Sequence, residues 1–359
     1  MSKKAIVGFL IAAAFLSLAC LCCPASIFTV ASTPGPNLPS ATLAPTVSPT
    51  YQPTLTSSPI PSVEPTAASV DIPACVEHLA HILDESENSY YPGQEFESDF
   101  VLVTYTVSGD SITDPVLVSP LPVDLRTDQR DTARQEEMWG FVAGVIPSDQ
   151  RGQLTEFVIA TDGIGNSLGA VEQAEDPHDW KLELDIEDAR HFPDLSTTVI
   201  HELGHLLTLN DTQVALDARV FYNPDDQQIY DEEAATCSTY FLFEGCSHPD
   251  SYLNTFFQRF WTSIYPEWQD INAETDENIL GQKMDRFYQR YADQFVSDYA
   301  ATSAEEDIAE TFMYFIFMPQ PSGASIAEQK RLFFNDYPEM VALRERLLQS
   351  LCPYAEQYP

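Results

Sequence analysis

Between Leu195 and Leu209 the chain is mostly apolar, yet this stretch carries two histidines and a glutamate: His201, Glu202 and His205 sit among Val199, Ile200, Leu203, Leu206 and Leu207. The apolar spacing predicts a helix over 195–209, with Asp194 or Ser196 as its N-cap. Residues four apart on a helix share a face, so the rings of His201 and His205 can reach one metal ion. Glu202 projects beside them, where its carboxylate can take a proton from a metal-bound water. Gly204 costs a helix about 1 kcal/mol relative to Ala, which points to close packing or close approach at that residue. The competing reading is a buried structural helix with two hydrogen-bonded core histidines. It leaves a buried Glu202 with no stated partner, which is costly.

The start of the chain is of a different kind. Lys3 and Lys4 precede an almost wholly apolar stretch from Ala5 to Cys23, so residues 1–23 read as a signal peptide or a membrane anchor. Ser17-Leu18-Ala19-Cys20 resembles a bacterial lipoprotein cleavage box with Cys20 as the lipidated residue, although Ser17 stands where that pattern wants Leu. Cys22 and Cys23 lie at the same place. Residues 24–73 are rich in Pro, Thr and Ser and carry only Glu64 and Asp71 as charges. Such a sequence cannot bury a core and repeated Pro keeps it extended, so it reads as a disordered stalk or spacer. The expected location is the cell surface, attached by lipid or by the N-terminal segment, or the secreted fraction.

Residues 74–359 are enough for one large domain or two small lobes. Lys3 and Lys4 offset Glu64 and Asp71, so the whole net charge of −38 belongs to this part. That excess argues against nucleic acid and anionic lipid as partners, since both present phosphates. It favours cationic substrates or solubility in salt. Four cysteines fall here, Cys75, Cys237, Cys246 and Cys352, an even number that suits two disulfides in an oxidising compartment. Three pairings are open; Cys237 with Cys246 would close a short loop, and Cys75 with Cys352 would tie the ends of the domain. The absence of C-x-x-C spacing argues against a cysteine-held zinc site.

Periodicity predicts helices over 74–83 and 131–145 and strands over 100–107 and 154–160, the latter running into a turn at Thr161-Asp162-Gly163. Trp180 to Ile186 alternates apolar and charged residues and reads as a half-exposed edge strand. Such an edge, shortly before the histidine helix, could pair with an extended peptide backbone. The stretch 210–291 reads as a long insertion. Within it Leu253, Phe256, Phe257, Phe260, Trp261 and Ile264 keep helical spacing over 251–265, more in the manner of core or lobe interface than of a ligand set. A further helix is expected over 279–299.

Two histidines holding zinc need a third protein ligand. Asp211 lies six residues after His205, where a histidine is one known solution, but Thr208 stands where that solution has Gly. The stronger candidate is the segment 299–310. Ser303 can N-cap a helix whose first turn then holds Glu305 and Glu306, and Glu306 and Glu310 share one face. One can bind the metal while the other braces a ligand histidine and fixes its tautomer. A solvated acidic first turn is the alternative.

His201-Glu202-Leu203-Gly204-His205 is the H-E-x-x-H pattern of zinc metallopeptidases. With Tyr299 and Glu306-x-x-x-Glu310 it resembles the gluzincin metallopeptidases, most closely the anthrax lethal factor peptidase domain and the Pro-Pro endopeptidase group. The resemblance covers roughly 154–348 in element order, but only the two short motifs carry it, and the interval from His205 to Glu306 is longer than usual in that group. It implies an α+β zincin-like fold, with a small mixed sheet, an edge strand over the H-E-x-x-H helix and a mostly helical C-terminal half. It implies one catalytic Zn2+ on His201, His205 and Glu306, Glu202 as general base, Glu310 behind a ligand histidine and Tyr299 at the oxyanion. The expected function is an exported zinc metallopeptidase, an endopeptidase acting as a monomer on protein or peptide substrates. The rival from another class is a catalytically inactive surface-displayed binding lipoprotein with a vestigial peptidase fold.

Overall fold

A computed structural model of the chain describes residues 71–88, 95–165 and 167–358. The expected signal or anchor over 1–23 and all but the last residues of the stalk over 24–73 lie outside the described residues.

The first helix, α1 (Ile72–Asn88), is amphipathic and buries Val76, Leu79, Ile82 and Leu83. Strands β1 (Glu95–Ser108) and β2 (Ser111–Leu117) form an antiparallel hairpin, turned at Gly109 with φ of 62°. Helix α2 (Thr132–Val145) begins where the Asp131 side chain accepts the Arg134 amide. Strands β3 (Leu154–Gly163), β4 (Gly169–Gln173) and β5 (Trp180–Asp185) complete a five-stranded mixed sheet in the order β2-β1-β3-β5-β4. β3 and β5 run parallel, and the other neighbours run antiparallel.

Two expectations are corrected here. The strand at 180–186 is not an edge: β5 lies between β3 and β4, and the edge on that side is β4. Its alternation reads as half-exposed because Lys181 and Glu183 interrupt the buried Trp180, Leu182 and Leu184; β4 answers one of these charges, with Lys181 Nζ 2.7 Å from Glu172 Oε2. The expected turn at 161–163 is instead the last part of β3, drawn out by pairing of Gly163 with Glu95.

Helix α3 (Phe192–Leu209) carries the two histidines and is buried along almost its whole length. It starts one turn earlier than its apolar periodicity suggests, because Pro193 fits the first turn, where an amide hydrogen has no helical partner. Neither Asp194 nor Ser196 caps it; His191 is the N-cap residue, without a side-chain cap bond to a helix amide, and its Nδ1 lies 3.4 Å from Asp194 Oδ2.

The following stretch holds β6 (Val214–Leu216), the short helices α4 (Ala218–Phe221) and α5 (Gln227–Ala234), and the strands β7 (Phe241–Leu242) and β8 (Gly245–Ser247). The three strands make a small antiparallel sheet in the order β6-β8-β7. Helix α6 (Tyr252–Phe256) runs through a π-helical turn at Phe257–Trp261 toward α7 (Tyr265–Asn272), followed by α8 (Glu277–Tyr291), which ends well short of the expected 299. Leu253, Phe256, Phe260 and Trp261 are buried in the same continuous core as the sheet and α3, so the aromatic stripe is packing, as expected. Helices α9 (Ala304–Phe317), α10 (Ile326–Phe333) and α11 (Pro338–Ala355) close the fold.

Disulfides join Cys75 to Cys352, tying α1 to α11, and Cys237 to Cys246, stapling the β7–β8 hairpin. The architecture is α+β with a mixed sheet. Among the described residues no helix is long and apolar enough to cross a membrane.

Candidate metal centre

The centre forms where α3 meets α9. Ser303 has extended backbone and its hydroxyl accepts the Glu306 amide at 3.1 Å, the expected N-cap. This starts α9 so that Glu306 and Glu310 face α3, while Ile308, Phe312 and Ile316 enter the core. Gly204 allows the two helices to come close: a Cβ there would lie 3.0 Å from the Ala309 Cα. Any larger residue at 204 would push α9 away and open the distance between its carboxylates and the two histidines.

Three donor atoms converge across this seam. His201 Nε2 lies 3.1 Å from His205 Nε2 and 3.1 Å from Glu306 Oε2, and His205 Nε2 lies 3.3 Å from the same oxygen. Together His201, His205 and Glu306 form a group that could hold a metal ion. Behind it, His201 Nδ1 donates to Glu310 Oε1 at 2.8 Å. A carboxylate only accepts, so this bond places the proton of a neutral ring on Nδ1 and leaves a lone pair on Nε2. That lone pair faces a carboxylate oxygen, an arrangement that only a cation between them, a proton or a metal ion, makes favourable.

The electrostatics agree. Burial alone would push the His201 and His205 rings down, but Glu306, joined at His201 by Glu310, holds both above the usual histidine value. Glu306 responds in the opposite sense: burial would raise it, and the two imidazoles hold it well below the ordinary carboxylate range. Glu202 is buried, and that burial raises its pKa against the opposing pull of His201 and His205. The backbone amide of Val171 of β4 also pulls the Glu202 pKa down, so the sheet edge lies beside Glu202. Tyr299, on a single 3-10 turn (Tyr299–Ala301), has its ring centroid 5.8 Å from that of His201. Its hydroxyl lies beside Glu306, and burial followed by that negative charge pushes its pKa well up.

All six residues singled out from the sequence are therefore brought together. Asp211 is not among them: it lies past the end of α3, and its carboxylate takes a 2.6 Å hydrogen bond from His178 instead.

Sequence reasoning missed several neighbours. Ser297 donates to Glu310 Oε2, the oxygen that His201 leaves free. Tyr240 donates to Glu305 at 3.1 Å. Glu244, in the turn between β7 and β8, is pushed up to about 7 by burial and by Glu305, and feels the opposing charge of His205. Among the described residues His205 Nδ1 is buried with no hydrogen-bond partner, so the two histidines are braced unequally. No sequence pattern marks these residues: Tyr240 and Glu244 reach the centre across the fold, and Ser297 from the segment just before Tyr299. A second group that could hold a metal ion, Asp162, Asp185 and Asp188, lies at the end of β3 and β5 and offers oxygen donors only.

Comparison of the chain with models of known protein families, with curated proteins and with solved structures finds no match.

Proposed function

We propose that the chain is an exported zinc metallopeptidase with a zincin-like arrangement, its metal on His201, His205 and Glu306. The observation that carries this reading is the donor triangle. A tetrahedral zinc ion with bonds of about 2.0–2.1 Å sets its donors roughly 3.3 Å apart, and here the three separations are 3.1, 3.1 and 3.3 Å. Two imidazoles and one carboxylate are a zinc donor set, and three protein donors leave the fourth position open for water or substrate. The pair of disulfides supports an oxidising compartment and hence export.

Zinc bound there would supply a Lewis acid that polarises the scissile carbonyl and makes water acidic enough to attack near neutral pH. Glu202, next to His201 on the helix and with its pKa raised by burial, accepts the proton of the attacking water and delivers it to the leaving amine. Tyr299, protonated at any ordinary pH, donates to the developing oxyanion, a contribution of roughly 3 kcal/mol for a donor of this kind. The β4 edge beside Glu202 offers a strand on which an extended peptide can pair, with the acidic surface favouring cationic chains.

The decisive experiment is the zinc content of the purified full-length protein, wild type against Glu306→Ala and Asp211→Ala. One equivalent in wild type and Asp211→Ala, with loss in Glu306→Ala, is the expected result, and a peptide-library cleavage assay then follows. A wild type that takes up no metal sinks the proposal in favour of a binding protein with a vestigial site.

A further inference from the structure

We propose that Ser297 is a positioning residue that locks the metal ligand His201 and the oxyanion donor Tyr299 into one hydrogen-bonded unit. The inference rests on the metallopeptidase reading above and deepens it.

Ser297 lies in the segment between α8 and the 3-10 turn that carries Tyr299. Its hydroxyl oxygen accepts the Ala300 amide at 3.0 Å. The hydroxyl has a single proton, and that proton goes to Glu310 Oε2, 2.5 Å away. Glu310 is buried, and its other oxygen accepts from His201 Nδ1 at 2.8 Å. The chain therefore runs from the Ala300 amide to the Ser297 hydroxyl, to the Glu310 carboxylate, to the His201 ring. Its bonds converge on the carboxylate: the Ala300 amide and the Ser297 hydroxyl donate toward Glu310 from one side, and His201 Nδ1 donates to it from the other.

Two consequences follow from the geometry. A glutamate side chain has three rotatable bonds, and a single hydrogen bond to His201 leaves it free to swing about that contact. Ser297 fixes the second oxygen, and with it the plane of the carboxylate and the tilt of the imidazole that it holds. The same hydroxyl ties off the backbone of the turn one residue beyond Tyr299. The turn that carries the phenol is thereby tied to the metal ligand His201 by three hydrogen bonds in series, through the Ser297 hydroxyl and the Glu310 carboxylate. His205 has no equivalent support, since its Nδ1 is without a hydrogen-bond partner among the described residues. The precision of the centre thus falls mainly on the His201 side.

The test compares Ser297→Ala, Ser297→Thr and Ser297→Val in the full-length protein. Threonine and valine have the same shape, so that pair isolates the hydroxyl, and Ser297 is only partly buried. Zinc affinity is measured by competition with a chromogenic chelator, and the absorption spectrum of the cobalt-substituted protein reports ligand geometry. Partners behind a ligand histidine change metal affinity about 10- to 100-fold. We expect a loss of about 10-fold in the alanine and valine variants, a shifted cobalt spectrum, and recovery of both in the threonine variant. Peptide turnover should fall in kcat more than KM changes, because the loss is one of orientation. Wild-type zinc affinity in all three variants would overturn the inference while leaving the metallopeptidase reading intact. Absence of zinc from wild type would remove that reading itself. Should the alanine variant not fold, the threonine–valine comparison decides alone, and equal affinities in that pair would overturn the inference.

Discussion

Helix α9 carries adjacent acidic residues that meet opposite fates. Asp307 points back into the core, fully buried, where Lys330 Nζ lies 2.5 Å away and the Trp261 indole donates at 2.7 Å. Glu306 and Glu310 point forward to α3, where their partners are histidines and hydroxyls. Among the described residues neither forms an ion pair with Lys or Arg. Behind the helix the protein supplies its own cation and the cluster is closed. In front, Glu202, Glu306 and Glu310 gather around two imidazoles that can be neutral, and the balancing charge has to arrive from outside. A buried carboxylate is stable only with a counter-charge or a proton; which of these it has distinguishes a structural cluster from a site.

The sharpest way to break the comparison on its front side is Glu202→Gln. The amide keeps shape and hydrogen bonding but cannot accept a proton, and general-base contributions run to about 10²–10⁴-fold. Peptide hydrolysis should fall by about 10³-fold or more while the protein keeps its zinc, read by metal analysis and a fluorogenic peptide assay on the same preparation. Full activity in that variant would remove Glu202 from its role and reduce the front cluster to a metal holder.

On the back side the expected effect is on folding. Lys330→Ala leaves Asp307 buried without its cation, and breaking a buried pair from one side costs about 3–5 kcal/mol. Urea unfolding should show a loss of that size. Zinc stoichiometry in the fraction that remains folded should be unchanged, since Lys330 touches Asp307 and aromatic rings, not the donor triangle. A variant that lost zinc at unchanged stability would mean that the two faces of α9 are not separable.

What could be read in advance follows the range of the interactions. The H-E-x-x-H spacing, the Ser303 cap and the Glu306/Glu310 pair are legible because helix periodicity is local and seven consecutive residues fix it. Gly204 was legible too, as an unfavourable helix residue that needs a packing reason, and the Ala309 backbone supplies it. Strand β4 was not. Gly169-Ala170-Val171-Glu172-Gln173 has little intrinsic strand preference and pairs along its length with β5, so the sequence pattern points to β5 as the edge although β4 lies outside it. Near the π-helical turn at 257–261 and the end of α8 at Tyr291, Phe256 packs on Phe333 of α10 and Trp261 on Phe295, contacts that periodicity does not encode. Ser297 and Glu244 reach the centre from loops, and a loop residue carries no pattern that names its partner.

A smaller effect sharpens the comparison at the sheet. Asp307, despite complete burial, is pushed only to about 6, because Lys330 and Trp261 oppose the burial. Asp185 is pushed by burial to about 8, although the amides of Asp162, Glu187 and Asp188 donate to it; Glu183 is pushed to about 7 by burial and by Glu172. A carboxyl raised in the folded state binds a proton that the unfolded chain has released. Folding therefore takes up protons between the unfolded and folded values, from 3.8 to about 8 for Asp185 and from 4.5 to about 7 for Glu183. Stability from these groups is largest below the unfolded values and is lost as pH rises through the folded ones, at up to about 1.4 kcal/mol per pH unit for each group in mid-window. The unfolding midpoint should thus climb as pH is lowered from 8.5 to 6. Asp185→Asn lowers the baseline, since an amide cannot accept all three backbone donors, but it should also flatten that slope. A slope unchanged by Asp185→Asn would assign the pH dependence to the general repulsion of a chain with net charge −38, and the contrast between closed and open acidic clusters would then rest on α9 alone.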